Sequence, residues 1–220
     1  MSRHGFISMA VIRRLPRYYR YLHEMYLGGM KQISSRELAD CMELTASQVR
    51  QDFNCFGDFG QQGCGYDVEH LHREITKILG LDQSYRVVMI GVGRVGQSLL
   101  ENFDFERRGF QVVAAFDRDP ELIGKTFGGV LVSDMAQAEQ MLTGRGNQAD
   151  IGVLAVPNES AVECAELLKK CGVKAIWNFT KGDLARFESN LLVQNVHFSD
   201  SLLTLCYRLT EMENEIYDAR

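Results

Sequence analysis

The run Gly91-Val92-Gly93-Arg94-Val95-Gly96 and the carboxylate of Asp117 carry the clearest chemistry in the sequence. Glycines at this spacing clear a strand-to-helix turn of side chains. The first permits a tight turn, the second lets backbone approach a pyrophosphate, and the third lets helix and sheet pack closely. The N–H groups that open the following helix then face an anion. Asp117 stands 21 residues beyond Gly96, where an acid accepts hydrogen bonds from the hydroxyls of an adenosine ribose. Its charge repels a 2′-phosphate and so favours NAD(H) over NADP(H), and the adjacent Arg118 blurs that preference.

Such groups need a β-α-β frame, and the surrounding residues supply it. Tyr85 to Ile90 is almost wholly apolar, as in a strand buried on both faces. A helix through Ser98, Leu99, Leu100 and Phe103 follows, then a second apolar strand from Gln111 to Phe116 that ends at Asp117. The alternation continues: strand near Val130–Val132, helix Met135–Leu142, strand Ile151–Val156, helix Ala161–Cys171, strand Val173–Phe179. That order predicts a parallel sheet with crossover helices. From Ser199 to about Tyr217 a last helix presents Leu202, Leu203, Leu205, Cys206, Leu209, Met212 and Ile216, an apolar face that needs a partner.

The first 80 residues follow a different period. Val11, Leu15, Tyr18, Leu22 and Met25 recur at helical spacing up to Gly28-Gly29, with Pro16 predicting a kink or a short preceding helix. Ser34 and Glu37 form a capping box for a helix over Arg36–Met42, and Thr45 with Gln48 opens another to about Phe53. Two short helices across so tight a turn outline a helix-turn-helix. Four glycines among aromatics between Phe56 and Tyr66 read as a hairpin, the wing of a winged-helix domain. The second helix would present Ser47, Gln48, Arg50, Gln51 and Asn54 outward, side-chain types that reach base edges and phosphates. A helix from Val68 to Leu79 leads to a boundary at Gly80–Ser84. Residues 1–50 hold eight Lys/Arg against four acids, although the whole chain carries −5. A mildly basic segment on an acidic body suits contact with a polyanion.

Other classes are excluded. With 45% apolar and 24% charged residues and only three prolines in 220, the composition is that of a folded protein. No apolar run reaches the ~18 residues of a membrane span, and arginines follow the first apolar stretch too soon for a secretory signal. Six cysteines lack zinc spacing and predict reduced thiols in a cytoplasmic protein. A dehydrogenase needs an acid/base group against the reacting carbon. Only His197 among five histidines falls in the dinucleotide half, and no substrate domain follows the sheet. A DNA-binding module joined to a cofactor site without a reaction predicts a sensor rather than an enzyme.

The runs Arg14-Leu15-Pro16-Arg17-Tyr18-Tyr19-Arg20-Tyr21-Leu22, Gln48-Val49-Arg50-Gln51-Asp52-Phe53, Phe56-Gly57-Asp58-Phe59-Gly60, Gly63-Cys64-Gly65-Tyr66 and Trp177-Asn178-Phe179 go further. Together with the glycine motif, they resemble the Rex family of bacterial redox-sensing transcriptional repressors over roughly residues 7 to 210. The resemblance implies an α/β chain with a winged helix-turn-helix domain over 1–80, a Rossmann NAD(H)-binding domain over 85–198 and a dimerisation helix over 199–220. It implies a homodimer with that helix swapped, and release from operator DNA when NADH displaces NAD+. The nicotinamide would lie among Val156, Pro157, Phe179 and the partner's Phe198. Ser34, Gln61 and Gln62 join the DNA-contacting set. Gln51, Gln61 and Gln62 stand where the family often has Lys or Arg, so DNA binding weaker and less salt-sensitive than usual is expected. A family latch pairs an Arg with an Asp and a Tyr. Arg20 matches the Arg, whereas His197 and Asn102 replace the other two. The alternatives are a small NAD-dependent oxidoreductase using His197, or a dinucleotide-binding scaffold without DNA affinity.

Overall fold

The computed structural model describes residues 7–57, 59, 65–144, 148–184, 187 and 191–218. The chain divides between Gln83 and Ser84 into two compact units. Unit one runs α1 (Met9–Leu27), β1 (Gln32–Ile33), α2 (Ser35–Met42), α3 (Ala46–Asn54), β2 (Tyr66–Asp67) and α4 (Val68–Ile78).

Pro16 does not split α1, which is one helix of 19 residues. Proline costs about 3 kcal/mol inside a helix. Val11, Leu15, Tyr18 and Leu22 bury one continuous stripe across it, at roughly 2 kcal/mol per side chain, and outweigh that cost. The capping box at α2 forms in both directions: Ser34 Oγ accepts from Glu37 N–H at 3.1 Å, and Glu37 Oε2 accepts from Ser34 N–H at 2.8 Å. At α3 only the Thr45 half forms, its Oγ1 accepting from Gln48 N–H at 3.1 Å. A neutral Gln amide is a poorer acceptor than the Glu37 carboxylate. Most of the predicted wing, including Gln61 and Gln62, lies outside the described residues. Its returning end, β2, pairs antiparallel with β1 through Gln32↔Asp67 and Ile33↔Tyr66.

A buried polar contact ties the helix pair to α1. Asp52 on α3 is only 2% exposed, and it takes both forks of the Arg14 guanidinium, at 2.6 and 2.7 Å. The hydroxyl of the fully buried Tyr18 donates to the same carboxylate at 2.9 Å. Burial and the adjacent carboxylate push the Tyr18 phenol well above its ordinary range. Arg17 Nη2 donates to the Met42 carbonyl at 2.8 Å, a cation at the C-terminal end of α2.

Where α1 meets α4, His23 Nδ1 lies 3.2 Å from His72 Nε2, and Tyr19 and Tyr26 stack on the His72 ring. One nitrogen must be unprotonated for this bond to form. Burial first, and the His23 charge second, lower the His72 pKa. A depressed value means the unfolded chain binds more protons, so this stabilisation is complete above about pH 6.5 and is lost as pH falls through the folded value. Melting curves between pH 7.5 and 5.5 should show the N-terminal unit weakening with acid. His72→Gln should flatten that dependence, and an unchanged slope would refute the assignment.

Unit two contains β3 (Tyr85–Ile90), α5 (Arg94–Asn102), β4 (Phe110–Asp117), β5 (Thr126–Phe127), β6 (Val130–Asp134), α6 (Ala138–Thr143), β7 (Ile151–Leu154), α7 (Asn158–Lys170), β8 (Ala175–Asn178), β9 (Leu192–Asn195) and α8 (Phe198–Asp218). The sheet order is β5-β6-β4-β3-β7-β8-β9, parallel except for β5. Setting β5 aside, this is the 3-2-1-4-5-6 order of a Rossmann sheet, with order reversing at β3 and a crevice at the strands' carboxyl ends. Sequence reading ended the sheet at β8. The short β9 carries no apolar run, only Leu-Val-Gln-Asn on an edge. In α8, Leu202, Leu203, Leu205, Leu209 and Met212 are each at least half exposed in the single chain. Among the described residues no helix is long and apolar enough to cross a membrane.

Candidate functional site

The turn after β3 is held open by backbone. Gly91 adopts φ +90° and donates its N–H to Phe116 O at 2.9 Å. A Cβ there would lie 2.5 Å from the Ala155 carbonyl oxygen, so no other residue fits. A Cβ on Gly96 would run into the Gly91 carbonyl oxygen. Beside Gly93, by contrast, nothing lies within 4 Å of a Cβ, which leaves the approach over its backbone open. Val92 is buried, whereas Gly93, Arg94 and Val95 are exposed at the start of α5. Gly93 caps α5 without a side-chain bond, so the first turn's N–H groups have no side-chain acceptor at the cap.

Asp117 sits at the end of β4, facing this turn. Its Oδ2 accepts from Val92 N–H at 2.5 Å, and its Oδ1 from the N–H groups of Arg118 and Asp119 at 2.7 and 2.9 Å. The acid expected to meet a ribose therefore also locks the glycine turn to the neighbouring strand. Gln97 braces the other side, Nε2 donating to Val92 O at 2.8 Å. Gly91, Gly93, Asp117, Arg118, Val156 and Pro157 come together around one cavity of about 580 Å³. Cys164 lines the same cavity, and burial raises its thiol pKa, so it serves as a neutral apolar wall at pH 7. Arg118 Nη2 turns outward to Glu163 Oε2 at 2.7 Å.

Phe179 follows β8, and Phe198 opens α8. Within the single chain their rings are 6.1 Å apart, with Trp177 4.6 Å from Phe179 and Phe103 5.1 Å from Trp177. Asn178, fully buried, shapes the turn that carries Phe179. Its Nδ2 donates to Gly182 O and Asn195 Oδ1, each at 2.8 Å, and its Oδ1 accepts from the Thr180 N–H and hydroxyl. From sequence, Asn178 appears only within the Trp177-Asn178-Phe179 run, with no role assigned, and Gln97 does not appear. A polar residue ending an otherwise apolar strand, and an amide one residue after the glycine motif, were the available signals.

The three latch positions each have a local partner. Arg20 lies over the Tyr21 ring at 5.6 Å, Asn102 Nδ2 donates to Ser98 O at 3.1 Å, and His197 Nε2 is 2.8 Å from Asp183 Oδ1. On the helix pair, Ser47, Arg50, Gln51 and Asn54 share one exposed face of α3, opposite the buried Val49, Asp52 and Phe53. Gln48 is half-buried at its edge, and Ser34 is occupied by capping. Arg50 Nη1 donates to Ser35 Oγ at 2.9 Å, across to the start of α2. Among the described residues no group of three or more His, Cys, Asp or Glu is placed to hold a metal.

A helix-turn-helix unit in front of a sheet with a dinucleotide-type turn defines a class, the DNA-binding regulators built on a nucleotide-binding domain. Residues 6–54 match a family model described as "Putative DNA-binding protein N-terminus", and residues 82–182 one described as "CoA binding domain". The redox-sensing transcriptional repressor Rex of Thermoanaerobacter sp. (strain X514) is 48% identical over 97% of this chain and 94% of its own. That of Clostridium beijerinckii is 46% identical over 97% of this chain and all of its own. Among solved structures, RSP with β-NAD+ and operator DNA is similar at TM-score 0.86 and 47% identity, covering 97% of both chains. RSP with β-NADH is similar at TM-score 0.87 and 45% identity, covering 97% of this chain and 99% of that one. The chain belongs to the Rex family of redox-sensing transcriptional repressors.

Proposed function

We propose that the chain is a cytoplasmic repressor that binds operator DNA with NAD+ or no cofactor and is released by NADH. The observation that carries it is the pairing of a glycine turn locked by Asp117 with an exposed, polar α3 in one chain. Similar proteins bind the two ligands this pairing calls for, RSP having been solved with β-NAD+ and operator DNA and with β-NADH.

In this reading the motif residues Gly91 to Gly96 receive the pyrophosphate and Asp117 the ribose. Val156, Pro157, Phe179 and the partner's Phe198 surround the nicotinamide. The ring is positively charged in NAD+ and neutral in NADH, so an apolar surrounding favours the reduced form. Only that difference in affinity biases one arrangement of the protein over another. A swing from mostly bound to mostly released needs about a thousandfold to ten-thousandfold preference. The cofactor is a signal here rather than a reactant. The uncovered face of α8 supports a homodimer in which each terminal helix packs on the partner. At the latch, Asp183 beside His197 puts a carboxylate next to the position where His replaces Asp. Ser34, Ser47, Gln48, Arg50, Gln51 and Asn54 make the DNA-facing set.

A mobility shift on promoter DNA with NAD+ and NADH side by side tests this reading. Retardation relieved by NADH alone is expected, and turnover of NADH with a carbonyl substrate would favour the oxidoreductase instead. Arg50→Ala should abolish the shift while NADH affinity stays unchanged. Loss of both would show that Arg50 is structural.

A further inference from the structure

We propose that Glu163 sharpens the preference of this chain for NAD(H) over NADP(H) by holding Arg118 away from a 2′-phosphate. The inference rests on the dinucleotide reading above and assigns a specificity role to a residue outside the glycine turn. Two adjoining cavities, of about 580 and 420 Å³, meet at Arg118; Asp117 lines the first, and Asp134 and Glu163 line the second. Four carboxylates stand around them, and Arg118 is the one cation among the described lining residues. Three of the four carboxylates face backbone. Asp117 accepts from Val92, Arg118 and Asp119, Asp119 from Glu121, and Asp134 from Ala136. Glu163 alone meets the guanidinium, at 2.7 Å.

A ribose 2′-hydroxyl is neutral and needs only an acceptor, which Asp117 supplies. A 2′-phosphate brings roughly two negative charges and needs a cation, preferably the fork of an arginine. With Arg118 engaged, such a phosphate meets Asp117 and Asp119 but no unpaired cation among the described lining residues. The two side chains are 56% and 69% exposed, so the pair adds little to stability. Its effect is on where the guanidinium points and on the net charge at the ribose. Without the Glu163 carboxylate, Arg118 is free to swing over the ribose edge. Asp117 remains, so NADPH still binds more weakly than NADH.

The test titrates the full chain, Glu163→Gln, and Glu163→Gln with Arg118→Ala against NADH and NADPH, followed by dihydronicotinamide fluorescence. Glu163→Gln should bind NADPH about tenfold more tightly than the parent does, with NADH affinity held within about twofold. The double variant should lose the gain. Unchanged NADPH affinity in Glu163→Gln with NADH binding intact overturns the proposal, as does a gain that survives loss of Arg118. A parent chain that binds neither dinucleotide would instead overturn the functional reading beneath it.

Discussion

Asp52→Ala should unfold the N-terminal unit under conditions where NADH still binds. The carboxylate is buried on α3 and satisfies three donors at once, two from Arg14 and one from Tyr18. Removing it leaves a part-buried guanidinium and a buried phenol without their acceptor, and breaking a buried pair from one side costs about 3–5 kcal/mol. A unit of this size has little more than that to lose. In denaturant, circular dichroism of the full variant should show two separated transitions where the parent shows close ones. Operator binding should vanish, and NADH titration should be unchanged. Replacing both partners, as in Arg14→Met with Asp52→Leu, should recover part of the loss, because no unpaired charge remains. A single variant that melts within about 1 kcal/mol of the parent would sink the argument.

Gly96→Ala should cost the dinucleotide site about a hundredfold in NADH affinity. The added methyl would overlap the Gly91 carbonyl oxygen, which is backbone and fixed by the bond from Gly91 N–H to Phe116. Either α5 or the turn must move, and overpacking of this kind costs about 2–3 kcal/mol. Because the helix start moves with it, DNA binding by the variant should no longer respond to NADH. Gly93→Ala is the contrasting control. Its methyl meets open space in the free protein, so thermal stability should be unchanged and only ligand binding should weaken. Equal stability and equal affinity in both variants would show that the turn is not where the cofactor lies.

The sequence made the frame readable wherever burial was two-sided or capping was explicit. Tyr85 to Ile90 and Gln111 to Asp117 read correctly because strands flanked on both sides must be apolar. Ser34 with Glu37 marked the start of α2 for the same local reason that the structure shows. No separate short helix precedes Pro16, because a rule about one missing N–H was set against a buried stripe that the rule does not weigh. The edge strand β9 was invisible, since four mixed residues bear no pattern of their own and pair only because β8 is there. Asp52 gains no role of its own from the sequence. Its burial depends on Arg14 and Tyr18, more than thirty residues earlier, and separation of that kind leaves no local trace. The pairing of Arg118 with Glu163 escaped for the same reason, across 45 positions.

The terminal helix has a consequence for how much of this protein a cell must hold. Leu202, Leu205 and Leu209 are wetted in a solitary chain, so on the dimer reading part of the folding free energy is delivered only when two copies meet. Such a fold obeys mass action: each tenfold dilution of a dissociating pair removes about 1.4 kcal/mol of that support. Abundance then sets not only how many operators are filled but how well each molecule survives.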